Sequence, residues 1–210
     1  IFVFFFFQNR GCTWLPSNRV KNTILGRVLV TSDKDKQLFK SKGITEDEVV
    51  QFLNDGDVDF GKSKKNGNPK VYSVTKEVNG KEVELWFTIP TDAYIAEVKW
   101  PKGSVFGVKN TTEGMGTMLH FPNVESIVYL DSNKRLTCQQ DIAPKEIVKR
   151  MKKTGKIDFS KSKLKADQPK QYILFTTKKG VEVAAETYWY QEHIQFTEFL
   201  LKDTLDCGGY

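Results

Sequence analysis

Cysteine and histidine are scarce in this chain, and their scarcity excludes several kinds of site. The 210 residues include three cysteines and two histidines. Cys12, Cys138 and Cys207 do not have the paired spacing of a zinc knuckle, and neither histidine lies near one of them in the sequence. Three cysteines also make no disulfide framework. A single disulfide bridge between Cys138 and Cys207 is an alternative in an oxidising compartment. The sequence therefore predicts no metal site and no bound cofactor.

Motifs of enzyme active sites are also absent. The sequence has no glycine-rich phosphate loop, no metal-ligand cluster and no nucleophile elbow. Ser63 and Ser162 lie beside lysines, a pairing that can activate a serine, but lysines in a loop stay solvated and charged and make poor bases. His120 and His193 have no counterparts in the other half of the chain, so we expect structural roles for both. We predict no catalytic residues.

No apolar run is long enough to cross a membrane. Residues 1–7 include five phenylalanines, whereas a bilayer-spanning helix needs about 20 apolar residues. We interpret this run as the tail of a longer membrane anchor or signal-anchor, because a polar, basic and aromatic stretch follows it up to Trp14. The alternative is a buried β-strand. On the anchor interpretation the protein is membrane-anchored, with its body in the periplasm or, alternatively, on the cytoplasmic side.

Positive charge is in small excess, with a formal net charge of +6. Such an excess permits an anionic partner such as nucleic acid. Six basic residues form a candidate basic patch: Lys149, Arg150, Lys152, Lys153, Lys161 and Lys163. A lysine-rich solvated surface explains them more simply, so nucleic acid is not the expected partner.

The strongest pattern in the sequence is an internal repeat. Residues 56–64, GDVDFGKSK, return as residues 155–163, GKIDFSKSK, and further matches follow on both sides. In each copy an aspartate stands between two apolar residues. A hydrogen bond from Asp59 or Asp158 to a turn amide explains the recurring carboxylate without catalysis. The repeat predicts two units of the same kind.

Each unit is predicted to combine one helix with a few strands. Thr45 and Glu48 form a capping box, Gly56 ends the helix, and Asn79-Gly80 is a strong hairpin signal. The predicted fold class is α+β, with two tandem repeated units that each pack one helix on a small antiparallel sheet. The predicted boundaries are 1–23 for the end of the anchor and a connector, 24–100 for the first repeat, 101–124 for a linker and 125–210 for the second repeat.

The repeated pattern resembles a known family. The glycine-terminated helix, the Val/Ile-Asp-Phe segment after it and the later serine, tyrosine and glycine are similar to the bacterial domain-of-unknown-function family 4258. The resemblance rests on residues 41–49 and 56–60 with Ser63, Pro69, Tyr72 and Gly80, and on Ile142, Glu146, Ile147 and residues 155–159 with Ser162, Tyr172 and Gly180. It implies a fold like that of RelE-type ribonuclease toxins. Many members carry a histidine before the helix, and residues 34–40 and 134–140 contain none.

These features predict an interaction protein. We expect a non-catalytic, membrane-anchored envelope protein that acts as an interaction module or accessory subunit of a larger membrane protein complex. Its expected partners are other membrane or envelope proteins, and the membrane through the N-terminal segment. The alternative, which the resemblance implies, is a RelE-like nuclease or RNA-binding protein. Aromatic residues on the polar faces of the hairpins form a candidate interaction surface against the other unit or a partner. They are Trp86, Tyr188 and Tyr190.

Overall fold

Four α-helices and eleven β-strands occur among the described residues of the computed structural model. It describes residues 14–91, 93–122, 126–129, 144–163, 170–178, 180–190 and 193–201. The helices are α1 (Pro16–Leu25), α2 (Asp33–Ser41), α3 (Glu46–Asp55) and α4 (Pro144–Thr154). The strands are β1 (Val28–Ser32), β2 (Asp57–Lys64), β3 (Lys70–Val78), β4 (Lys81–Ile89), β5 (Ile95–Lys99), β6 (Met115–His120), β7 (Ser126–Tyr129), β8 (Lys156–Asp158), β9 (Lys170–Thr176), β10 (Glu182–Tyr190) and β11 (His193–Leu201).

All eleven strands belong to one mixed sheet. Their order is β2-β3-β4-β5-β1-β6-β8-β9-β10-β11-β7. The parallel pairs are β1 with β5 and β7 with β11, and β6 pairs antiparallel with both β1 and β8. Each half of the chain contributes five strands in the same relative order, with the strand directions reversed between the halves. The second half is therefore turned over relative to the first.

The helices of the two halves pack on opposite faces of the sheet. Side chains alternate between the faces along a strand, and β1 shows the division. Leu29 lies in the core that α1, α2 and α3 cover, whereas Val30 lies in the core that α4 covers. Ile147 and Met151 of α4 are almost completely buried in that second core. Two hydrophobic cores thus share one sheet, one on each side.

The predicted fold class is wrong. Two small antiparallel sheets with one helix each were expected, whereas all strands form one sheet and the first half carries three helices. The strand responsible is β6, which lies within the predicted linker 101–124. Without β6, the first half would end at β1 and the second at β8, each with unpaired backbone N–H and C=O groups. One strand that pairs with both satisfies these groups and makes the sheet continuous.

The predicted membrane anchor is not supported. Residues 16–23 of the predicted anchor and connector belong to α1, a ten-residue helix that begins at a proline and buries Ile24. No helix among the described residues is long and apolar enough to cross a membrane. The apolar run at residues 1–7 lies outside the described residues. The structure therefore does not support the predicted membrane location, the signal-anchor or the periplasmic placement of the body.

The first turn of α3 is built as the sequence predicts. Glu48 Oε2 accepts a hydrogen bond from Thr45 N at 2.6 Å, and Thr45 Oγ1 accepts one from Glu48 N at 3.2 Å. The capping box is confirmed, and its hydrogen bonds from the Thr45 backbone and hydroxyl lower the pKa of the Glu48 carboxyl. α2 was not predicted, although it has a comparable start: Ser32 Oγ accepts from Asp35 N at 3.1 Å.

Candidate functional site

The repeated aspartate builds the same turn in both halves. Asp59 Oδ1 accepts hydrogen bonds from Gly61 N at 2.8 Å and Lys62 N at 3.0 Å. Asp158 Oδ1 accepts from the amides two and three residues further on, at 3.0 and 3.2 Å. The prediction that a turn amide binds each aspartate is confirmed. Both carboxylates therefore have a structural role, Asp59 within β2 and Asp158 at the end of β8.

A serine ties each turn to the next strand. Ser63 Oγ donates to Asp59 O at 2.5 Å and accepts from Ser73 N at 3.1 Å. Ser162 Oγ donates to the carbonyl of Asp158 at 2.7 Å and accepts from Tyr172 N at 2.9 Å. Each hydroxyl proton is held by a backbone carbonyl. This arrangement serves the fold and does not activate a nucleophile.

Removing these hydroxyls should destabilise the protein. In Ser63→Ala the buried N–H of Ser73 loses its acceptor, and an unsatisfied buried donor costs about 1–3 kcal/mol. We expect Ser162→Ala to lower the free energy of unfolding by a similar amount, measured by urea denaturation. Ser41→Ala is the control, because its exposed hydroxyl only donates to Leu38 O. Equal stability of Ser63→Ala and Ser41→Ala would show that the bridge contributes nothing.

Strand β8 has a neighbour on both sides. β9 pairs with one edge of β8 and β6 pairs with the other. Gly116 of β6 lies opposite Ile157, and two further hydrogen bonds, Met118 N to Gly155 O at 3.0 Å and Phe159 N to Gly114 O at 2.9 Å, extend the ladder. Under this cover Ile157 is 0% exposed and Phe159 is 3% exposed.

Strand β2 is the equivalent strand of the first half, and it ends the sheet. Among the described residues β2 pairs with β3 alone. Val58 and Phe60, the counterparts of Ile157 and Phe159, are only half-buried. The sequence is nearly the same in both copies. The apolar residues of β8 are buried because β6 covers them, and their counterparts on β2 stay accessible at the free edge.

A lysine closes one end of this edge. Lys21 Nζ of α1 donates to Gly56 O at 2.9 Å and lies 3.4 Å from Asn54 O. In the second half the carbonyl equivalent to Gly56 O is Gly155 O, which accepts from a strand amide of β6. A lysine ammonium thus replaces a strand N–H at this position. In the part of the chain that the structure describes, no second strand pairs with residues 57–60, and we call these four residues the β2 edge.

Trp86 is not available as an interaction surface. It is 6% exposed and packs against Val71 of β3 and Val105 of the short 3-10 helix Val105–Gly107. Its Nε1 donates to Glu84 Oε1 at 2.6 Å. The chain between β5 and β6 therefore covers Trp86. The sequence pattern correctly places Trp86 opposite the helices, but it does not reveal this cover.

The surroundings of Tyr188 are polar in the described structure. Tyr188 is half-buried, and Lys170 Nζ lies 5.3 Å from its ring centroid. A hydrogen bond to Tyr188 and another to Glu186 raise the pKa of Lys170. The position that Trp86 has in the first half is taken by Glu186, so this face is polar. The side chain of Tyr190 lies outside the described residues.

The six residues of the predicted basic patch do not share one surface. Lys149, Lys152 and Lys153 are exposed on α4, and Arg150 Nε donates to Glu146 Oε1 at 2.7 Å on the same helix. Lys161 lies on the opposite face of the sheet, where its Nζ is 4.7 Å from the Tyr172 ring centroid. Lys163 is in an isolated bridge with Lys170. The sheet separates the two groups of cations.

The titratable residues that the structure describes elsewhere form no catalytic constellation. His120 Nε2 hydrogen-bonds to Leu25 O at 2.9 Å, a structural contact between β6 and α1. Within the part of the chain that the structure describes, no group of three or more His, Cys, Asp or Glu residues could hold a metal ion. The side chain of His193 and all three cysteines lie outside the described residues, so the Cys138–Cys207 bridge stays a prediction.

A cavity of about 270 Å³ lies between α2, the turn into α3 and strands β1 and β6. Its lining is mainly apolar and includes Phe39 and Leu119. The polar groups beside it already pair with each other: Lys36 Nζ lies 2.5 Å from Glu46 Oε1 and 3.3 Å from Thr117 Oγ1. The cavity offers apolar volume and no arrangement for proton transfer.

Comparisons with protein-family models, curated proteins and solved structures give no match to this chain. The resemblance to family 4258, with the RelE-like alternative that it implies, therefore stays a prediction. The difference between the two halves of the chain is the main structural indication of function.

Proposed function

We propose that this protein is a non-catalytic interaction module that binds an extended segment of a partner protein at the β2 edge. The bound segment would add a twelfth strand, antiparallel to β2, to the sheet of eleven. The observation that carries the proposal is the second half, where the equivalent edge of β8 is occupied by β6 in this manner.

Backbone geometry supports strand addition at this edge. In the pairing of β2 with β3, Asp57 lies opposite Thr75 and Asp59 lies opposite Ser73. In the second half, the amide of Phe159 points away from β9 and donates to the carbonyl of Gly114, the residue before β6. By this alternation the N–H and C=O groups of Val58 point outward from the sheet, and by analogy with Phe159 the N–H of Phe60 does so too. Main-chain hydrogen bonds to such groups supply the affinity in strand addition.

Side-chain burial supports the same site. Val58 and Phe60 pack partly against the core under α3, and a further strand would complete their burial as β6 does for their counterparts. Burial of apolar surface contributes roughly 25 cal/mol per Å². The edge thus combines outward-pointing backbone groups with apolar side chains that a neighbouring strand would remove from water.

A synthetic peptide with the sequence of residues 111–120, which includes β6, is the first probe of this site. We expect the amides of Val58 and Phe60 to gain protection from hydrogen exchange when this peptide, or a variant with altered charge, is added to the full chain. Residue-resolved NMR measures the protection. The amides of β3 are the internal reference, since the sheet already holds them.

Val58→Pro should abolish peptide binding and leave the protein folded. Proline removes one outward N–H, and an edge strand tolerates it where that N–H faces solvent. Circular dichroism checks the fold, and peptide titration checks the binding. The exchange measurement on the unsubstituted chain gives a second test that needs no variant. If no peptide protects Val58 and Phe60, the proposed function is wrong.

A further inference from the structure

The two aspartates of the β2 edge make it negative. Asp57 is exposed and Asp59 is half-buried, and alternation places both on one face of the strand. The counterparts in the second half are Lys156 and Asp158, whose charges cancel. β6 presents neutral residues there, Thr117 opposite Lys156 and a methionine opposite Asp158. The β2 edge therefore requires a different partner from the one that suits β8.

Neighbouring cations do not neutralise this edge. Lys62 Nζ lies 3.8 Å from Asp59 Oδ2 and 3.9 Å from Glu84 Oε2, and its side chain is 59% exposed. An exposed ion pair at such distances contributes little. Lys76 pairs with Asp55, and Lys21 is held by the carbonyl of Gly56. Asp57 has no cation among these.

A glycine is required in the middle of the added strand. On Gly116 of β6 a Cβ atom would lie 2.6 Å from Phe159 Cε2 and 3.0 Å from Ile157 Cγ2. Contacts that short force a displacement of the ring, so only glycine fits opposite Ile157. Phe60 and Val58 stand at the same positions on β2. A strand that buries Phe60 as β6 buries Phe159 needs glycine at the same register position.

We infer that the β2 edge recognises a basic–glycine–basic segment of a partner protein, bound antiparallel with the glycine opposite Val58. The two basic residues then lie opposite Asp57 and Asp59. Opposite charges in directly facing positions stabilise antiparallel strands. This inference rests on the proposed function, to which it adds the chemistry and register of the partner.

A second copy of this chain does not fit the same edge. Antiparallel self-pairing centred on Val58 would place Asp57 of each copy opposite Asp59 of the other. Like charges in directly facing positions destabilise a strand pair, and charged residues on an edge are a known protection against self-association. The two aspartates therefore disfavour self-pairing in this register and favour a basic segment.

Three peptides test the charge requirement. They are the 111–120 sequence, its Met115→Lys/Thr117→Lys variant and its Met115→Glu/Thr117→Glu variant. Two facing charge pairs should make the lysine peptide bind the full chain roughly tenfold or more tightly than the parent peptide. The glutamate peptide should bind more weakly than the parent. Isothermal titration calorimetry at two salt concentrations measures the affinities, and only the lysine peptide should weaken strongly with salt.

Two further variants test the register. Gly116→Ala in the lysine peptide should remove most of its binding, because the methyl group meets Phe60. Asp57→Lys in the protein should reduce the preference for the lysine peptide, since Asp57 is exposed and lies outside the Asp59 turn. Thermal unfolding confirms that the protein variant is folded. An unchanged preference in Asp57→Lys would overturn the proposed register.

The outcomes separate this inference from the proposed function. Protection of Val58 and Phe60 with equal affinities for the lysine and glutamate peptides overturns the inference and leaves the proposed function intact. Absence of protection with every peptide overturns both. A concentration-dependent dimer in sedimentation that Val58→Pro abolishes would show that a second copy is the occupant, and would also overturn the inference.

Discussion

Gly155→Ala should lower the free energy of unfolding by about 2–3 kcal/mol, toward the upper end of the usual range for overpacking. Gly155 stands where α4 ends and β8 begins, and its N–H donates to Met151 O. A Cβ atom would collide with that carbonyl oxygen and lie 2.7 Å from Met118 Sδ. The carbonyl belongs to the helix backbone and cannot rotate away. Urea denaturation followed by circular dichroism measures the loss.

The same substitution in the first half should have a similar effect. A Cβ atom on Gly56 would lie 2.5 Å from Phe52 O and 3.0 Å from Thr75 O. Gly107→Ala is the control, because a Cβ atom there would meet nothing within 4 Å. We expect Gly107→Ala to stay within about 0.5 kcal/mol of the unsubstituted protein. Equal stabilities for all three variants would show that close approach does not explain the repeated glycine.

Trp86→Ala should cause the second large loss, about 3–5 kcal/mol, as expected for truncation of a buried tryptophan. The indole fills the space between β3, β4 and the chain around Val105, and its Nε1 hydrogen-bonds to Glu84. The same covering segment is also held at Thr111, whose N–H donates to Glu97 Oε2 at 3.1 Å. Without the indole, this segment loses its apolar contact with the sheet.

Amide exchange across residues 101–114 checks the local part of this prediction. Protection should fall in this segment in Trp86→Ala, while α4 keeps the protection of the unsubstituted protein after allowance for the lower global stability. Phe106→Ala is a control in the same segment, because Phe106 is 73% exposed. A Trp86→Ala protein as stable as Phe106→Ala would contradict the observed packing.

Local patterns in the sequence predicted local structure correctly. The Asn79-Gly80 turn joins β3 to β4 with Val78 opposite Lys81, and both turn residues have positive φ, 53° and 74°. The capping box predicted at Thr45 is also present. Each of these features depends on residues within a few positions of one another. Their side chains and backbone preferences are sufficient to define them.

Long-range pairing could not be predicted in the same way. β6 pairs with β1 although Met118 and Val30 are distant in the sequence, and the glycine-rich stretch around β6 has little strand character of its own. The helix α2 was missed because charged residues dominate it and only Phe39 is buried. The division into two separate sheets was wrong because nothing local indicates that one strand will pair with both halves.

The candidate site was also predictable from the sequence only in its local features. The repeated Asp-Phe segment is visible in the sequence, and the hydrogen-bonding role predicted for Asp59 and Asp158 is confirmed. The sequence does not show that one copy is covered by β6 while the other is the end of the sheet. For Trp86, the alternation of side chains along the strand correctly predicts a position on the face opposite the helices. The segment that covers Trp86 comes from the chain after β5, and alternation does not reveal it.

The sequence by itself determined the duplicated turn, the helix start at Thr45 and the alternating hairpin strands, because short-range sterics and hydrogen bonds fix these features. Only the tertiary structure decided that the two halves share one sheet and turn opposite faces to their helices. It also decided that β8 has a strand on both sides, whereas β2 pairs with β3 alone among the described residues. These outcomes depend on which distant segments bury apolar surface and satisfy backbone groups together, and a strand's own residues do not specify its neighbour.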